Sequence, residues 1–414
     1  STLLQLEDLF SYKGENYVPE DYRHEQFEDL KIHGFADLHF NKNLYASDVT
    51  FDLVETNMKL HKSRFRDFGG RIHLENNNLS IENLRGKLGE SSFNMNADLF
   101  FENDSTSKSR TNRINFQASR LNFDQLTNYQ KPVNNYASIP EDHEKGFNIY
   151  EVPFPNLKVD LNIEQLNYHL YNIRNFNGSI RTTSNHFIYI DTLSLEAAGG
   201  QIKMSGYFNG SNPKLIYFSP KMNLYNVDLD ELLLKFENFG QDYLVSENLH
   251  GKLSGDLWGK IHIHKDMVPI IDDSEIHLDF NVVSGKLENF GPMKYLADYF
   301  ADKNVAKVLF DTLQNHIDLK GGSMNIPNMK INTSLGFVEI SGIQNSDFSF
   351  EYFLKVPWKM ITKAGVSKLF AKKDQQNSED DEIIYATEGK KIRYVNIQLK
   401  GDLEDYTIKL KKKK

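Results

Sequence analysis

Along much of the chain, apolar side chains fall at every second position. In YIDTLSLEAAGGQIKMSGYF (189–208), Leu193, Leu195 and Ala197, then Ile202 and Met204, alternate with polar neighbours. A period of two gives a strand one apolar and one wet face, so the stretch predicts a β-hairpin turning at its glycines.

The hairpin is a repeat. NIPNMKINTSLGFVEISGIQ (325–344) aligns with it without gaps, so that Ile190, Leu193, Leu195, Ile202 and Met204 meet Ile326, Met329, Ile331, Val338 and Ile340. A third copy, FGGRIHLENNNLSIENLRGKLGESSFNMNADLF (68–100), matches 176–208 with one inserted residue, bringing Leu84, Phe93 and Met95 onto Leu193, Ile202 and Met204. Fixed-period self-similarity of this kind predicts a repeat architecture. The fold expected is mainly β: an elongated repeat β-meander forming a twisted sheet with an apolar groove, with short α-helices per module.

Those helices are expected after the hairpins, within 114–130, 220–240 and 349–370, where a strand pattern leads into apolar residues at helical spacing. LLQLEDLFSY (3–12) reads as the same helix from a preceding module. A helical insertion is expected near 292–313, because Met293, Leu296, Ala297, Phe300, Val305, Val308, Leu309 and Leu313 follow Pro292 at helical spacing. The organisation expected is a partial N-terminal module (1–29), β-modules at 30–130, 131–240 and 241–371, a charged loop (372–388), and closing strands with a lysine tail (389–414).

Composition narrows the chemistry. The 414 residues carry a net charge of −9 and no cysteine. Disulfides and thiolate chemistry are therefore excluded, and there is no overall electrostatic attraction for nucleic acid. No apolar run is long enough to span a bilayer as a helix. Nucleophile-elbow, phosphate-loop and HExxH patterns are absent, so no enzyme, cofactor or metal is expected. His262 and His264 share one side of a strand, but a solvated strand face accounts for them without a metal. The Asp272-Asp273 and 379–382 acidic clusters read as solvated turns.

The remaining candidate site is the apolar face itself. Its residues are Ile72, Leu74, Ile81, Leu84, Phe93, Met95, Ile190, Leu193, Leu195, Ile202, Met204, Ile326, Met329, Ile331, Val338, Ile340, Phe348 and Phe350. Alternation marks a face that avoids water without saying what covers it. A lipid tail and a packed helix are both candidates.

The series SGKLENFGPMKYL, GGSMNIPNMKINTSLGFVEISG and VNIQLKGDLEDYTIKL resembles the C-terminal region of AsmA-like proteins, in particular their Bacteroidetes-type branch; the likeness covers most of 30–410. The resemblance implies a periplasmic protein of the Gram-negative cell envelope, tethered to the inner membrane by an N-terminal helix missing from this chain. It implies lipid transport, with phospholipid acyl chains as ligand and a membrane surface or envelope proteins as partners. The alternative expectation is a structural or assembly scaffold in outer-membrane biogenesis; a carbohydrate-active enzyme is a third.

Overall fold

The computed structural model describes residues 4–5, 11–12, 15–16, 24–41, 43–60, 62–75, 78–100, 111–126, 148–151, 154–168, 171–235, 247–289, 306–358, 393–402 and 405–411. The chain is mainly β. It divides into two compact units, Ser1–Asn134 with Tyr150–Ala197, and Asn135–Ile149 with Ala198–Lys414.

The first unit contains β1 (Leu4–Gln5), β2 (Ser11–Tyr12), β3 (Glu15–Asn16), β4 (Gln26–Asn41), β5 (Asn43–Met58), β6 (Arg64–Glu75), β7 (Asn78–Leu88), β8 (Ser91–Phe100), β9 (Asn112–Asn122), the single helical turn α1 (Phe123–Leu126), β10 (Leu157–Tyr168), β11 (Tyr171–Thr183) and β12 (Phe187–Ala197). Strands β4 to β12 pair in chain order, antiparallel except for the parallel step between β9 and β10. A parallel step needs a crossover connection rather than a tight turn. That crossover begins with α1, whose entry is capped by Asn122: its Oδ1 accepts the Gln125 backbone N–H at 3.0 Å.

The second unit contains β13 (Gly200–Asn209), β14 (Tyr217–Asp228), α2 (Leu229–Lys235), β15 (Leu249–Ile263), β16 (Pro269–Glu288), β17 (Lys307–Lys320), β18 (Ser323–Thr333), β19 (Gly336–Asn345), β20 (Phe350–Pro357), β21 (Tyr394–Gly401) and β22 (Tyr406–Lys411). They form an antiparallel meander in chain order. In α2, Leu229, Leu232 and Leu233 are buried, the spacing of one helix face, and the helix packs against β14 and β15.

Three expectations are corrected. The helical insertion does not extend to residue 313, because Val308, Leu309 and Leu313 lie in β17, paired along its length with β16. Their spacing suits either element, and pairing with a neighbouring strand decides between them. The part at 292–305 lies outside the described residues. At the N-terminus, Leu4–Gln5 pairs with β4 and Ser11–Tyr12 with β3, so those positions of the expected helix are extended. Asp272 and Asp273 also sit in strand β16 rather than in a turn.

The helices expected after β9 and β14 are α1 and α2; the one expected after β20, like the charged loop, falls outside the described residues. Hairpins β7–β8 and β18–β19 reproduce the repeat.

Bulges keep each apolar face in phase. On β7, Ile81 pairs with Ala97 and Leu84 with Met95, so three steps on one strand match two on the next. The irregularity includes Asn83, at φ 50°, whose backbone N–H donates to Asn96 Oδ1 at 2.8 Å. Without it, residues three apart would point to opposite faces. The same device recurs on β14, where Asn226 (φ 53°) lies between Leu224 and Val227 and donates its N–H to Ser254 Oγ at 2.9 Å. Asparagine tolerates this left-handed backbone better than most residues do.

Candidate functional site: an apolar sheet face

Residues paired directly across neighbouring strands project to the same side. In the first unit, register therefore joins Val49, Ile72, Ile81, Ala97, Ile114, Val159, Ile180 and Ile190 into one apolar row over eight strands, β5 to β12. A second row passes through Leu84, Met95, Phe116, Leu161, Gly178 and Leu193. With strands about 4.8 Å apart, such a row extends on the order of 35 Å across the sheet.

Aromatic rings thicken one part of this face. Phe51, Phe68, Phe93 and Phe116 follow one another at centroid separations of 6.3, 6.3 and 6.2 Å, and Phe65 sits 4.8 Å from Phe68. Gly86 makes room for two of the rings: a Cβ there would lie 2.9 Å from Phe68 Cδ2 and 3.4 Å from Phe93 Cζ. Gly70 plays a comparable part, since its Cβ would come within 2.8 Å of Leu84 Cα. At the matched Gly178, an added Cβ would lie 3.2 Å from Leu193 Cδ1.

The opposite face is wet and charged. Arg71 binds Asp48, its Nε lying 2.9 Å from Oδ1, and Arg181 grips Asp191 through two bonds of 2.6 and 2.7 Å. Hydrogen bonds from these guanidiniums hold both carboxyls below the ordinary aspartate range. A one-residue slip would exchange these charges with the apolar rows, which fixes the register.

The sequence-predicted residues separate into three groups. Ile72, Leu74, Ile81, Leu84, Phe93, Met95, Ile190, Leu193 and Leu195 all belong to the first unit's apolar face, and every one is half-buried. Those in β13 and in β18 to β20 of the second unit are more enclosed: Ile202, Ile326, Met329, Val338 and Phe350 are buried, while Met204, Ile331 and Ile340 are half-buried. Phe348 stands apart from both faces, exposed in the β19–β20 turn at φ 65°.

Sequence reasoning missed Ile114, Phe116, Val159, Leu161 and Ile180, although INFQA (114–118) and VDLNI (159–163) carry the same alternation. His262 and His264 do not converge: His262 lies in β15 with its ring 6.4 Å from Tyr217, and His264 follows the strand into a turn with Met267 and Val268. Among the described residues, no helix is long and apolar enough to cross a membrane. Comparison with protein-family models, curated proteins and solved structures gives no match for this chain.

Proposed function

We propose that this chain is a non-enzymatic lipid-binding and lipid-transfer protein of the Gram-negative envelope, sheltering phospholipid acyl chains in a β-groove between inner and outer membrane. The observation that supports this most is the eight-strand apolar row of the first unit, half-buried at every position but Ala97 where a covered core would be closed throughout. A paired sheet satisfies its own backbone polar groups, so its face can meet hydrocarbon without exposing them.

Each buried methylene contributes roughly 0.8 kcal/mol, so a tail of about fifteen carbons gains on the order of 12 kcal/mol on leaving water. Lipid in a bilayer has that gain already. The groove therefore acts by matching the bilayer, lowering the barrier to transfer rather than driving it. Headgroups stay in water at the open edge, and the step needs neither nucleophile nor cofactor.

The test is native mass spectrometry of gently purified protein. Phospholipid should copurify with the wild type and be lost from Met95→Lys with Leu161→Lys, while Thr192→Lys on the wet face retains it. Lipid retained by the double variant, or absent from the wild type, overturns the reading.

A second reading, an assembly scaffold for envelope proteins, is favoured by β4. There Ile32 (60%), Phe35 (68%) and Phe40 (66%) are exposed, with Phe35 on the wet face opposite Thr50. Apolar side chains on both faces of one strand suit a protein partner better than a lipid tail. A stoichiometric envelope protein recovered without lipid would favour this reading.

A further inference from the structure

The wet face of the second unit carries a cluster that the lipid reading does not use. His277 on β16 lies directly across from Asp318 on β17, and two residues along, Asp279 lies across from His316. Both imidazoles aim at one carboxylate oxygen: His277 Nδ1 is 2.5 Å and His316 Nε2 is 2.7 Å from Asp318 Oδ1. All three side chains are half-buried, and their ligand atoms lie within 4.8 Å of one another.

The outward nitrogen of each ring faces a second carboxylate. His316 Nδ1 is 2.6 Å from Asp279 Oδ1, and His277 Nε2 is 3.4 Å from Glu275 Oε1, which Lys320 holds in turn at 3.2 Å. Trp258 on β15, across from His277, stacks on that ring at 5.4 Å and 18°. Each imidazole is thus held from behind by a carboxylate while its inner nitrogen points at a shared oxygen. A solvated ion-pair lattice needs no such convergence, and among the described residues this is the one group of three such side chains that converges.

We propose that His277, His316 and Asp318 bind one divalent ion of the Zn2+ class, with Asp279 and Glu275 as positioning residues for the two imidazoles. Two ring nitrogens and a carboxylate oxygen make up a ligand set that zinc accepts, with solvent in a fourth position. Around an ion about 2.0–2.1 Å from each ligand, neighbouring ligand atoms stand about 3.3 Å apart, so each of the two N···O separations has to open by less than about an ångström, with the two ring nitrogens settling to the same spacing from within 4.8 Å. The carboxylates behind the rings set tautomer and orientation, as outer-shell partners do at zinc sites. An ion held there ties β16 to β17 on the face opposite Ile276, Leu278 and Phe280.

The test is calorimetric titration of the chelator-treated full chain with Zn2+, with Mg2+ as the comparison ion. One saturable Zn2+ per chain is expected, with no Mg2+ binding at the same concentration, and with a change in Trp258 fluorescence recorded in a Trp358→Phe background. His277→Gln and His316→Gln should each abolish saturable binding. Asp279→Asn, which touches no ion, should weaken it roughly 10–100-fold. His262→Gln should leave it unchanged. Circular dichroism establishes that each variant is folded, and the conservative Asp279→Asn provides a readout where a histidine variant fails to fold. Absence of saturable Zn2+ binding, equal affinity in folded His316→Gln, or equal binding of Mg2+ would overturn the assignment.

Discussion

Two stretches of apolar sheet, built by the same alternation, end in different environments. In the first unit, Ile81, Leu84 and Met95 lie on a half-buried face. In β20 and β21 of the second unit, Val356, Ile397 and Leu399 are each only 1% exposed, and Leu354 is 6% exposed. Period-two patterning therefore specifies which side avoids water, and the degree of enclosure is set separately. A face sealed to 1% has no room for a guest. A half-buried one leaves apolar area for a tail to cover, so lipid binding is expected on the first unit's rows and not on β20–β21.

A charge placed on each face breaks this comparison most sharply. Val356→Lys buries an ammonium with no partner, at a cost of several kcal/mol, and is expected to unfold its strands. Ile81→Lys can turn its amine to solvent while its stem covers the sheet, so the chain should fold normally and lose bound lipid. Circular dichroism with native mass spectrometry reads both outcomes. Unfolding of Ile81→Lys to the same degree would show that protein, not an open face, surrounds that residue.

Alanine gives a graded form of the same test. Ile397→Ala removes a fully enclosed side chain and should cost about 2–5 kcal/mol. Ile81→Ala, with part of its surface already in water, should cost about 1–2 kcal/mol. Native-state hydrogen exchange on β20–β21 and β7–β8 measures each locally, which suits a long meander better than a single global transition. Equal costs would remove the distinction.

How much of this could be read from the chain follows from how far apart the deciding residues are. The β7–β8 and β18–β19 hairpins were legible because each joins neighbouring segments around a short turn. Val308, Leu309 and Leu313 have a spacing that fits a helix as well as a strand. What decides is pairing such as Gly285 with Phe310, a partner 25 residues away. The His277–His316–Asp318 cluster was invisible for a related reason: its two histidines are 39 residues apart in sequence and meet only through the β16–β17 register. His262 and His264 are near neighbours in sequence, and such nearness does not make side chains converge. The face was legible and its degree of closure was not, since alternation carries no information about the layer above.

The bulges test whether the rows depend on local backbone geometry. Asn83→Val places a β-branched residue at φ 50° and should cost about 1–2 kcal/mol. Asn83→Gly should be close to neutral, because glycine adopts that conformation freely. Exchange rates of the β7 and β8 amides distinguish the two variants. A valine variant as protected as wild type would mean that the bulge is not held by its backbone, and that the Ile81–Leu84 phase has another origin.

The smallest expected effect lies on the wet face, at Arg181 and Asp191. Hydrogen bonds from the guanidinium lower the Asp191 carboxyl in the folded chain, whereas in the unfolded chain it titrates near its ordinary value of about 3.9. A depressed folded value means that the pair's contribution is fully present above about pH 4 and is lost as the pH falls through the folded value. Solvent reaches both side chains, which holds the contribution to about 1 kcal/mol or less. Asp191→Asn removes the titrating group and leaves Arg181 over the Tyr189 ring, 4.8 Å from its centroid. The variant should therefore be less stable than wild type at pH 7, and the two should converge as the solution is acidified below the ordinary aspartate range. A difference that stays constant down to pH 2 would mean that the ion pair does not supply it. The alternation of apolar rows alone would then hold that part of the register, and the contrast between the two faces would rest on packing without electrostatic support.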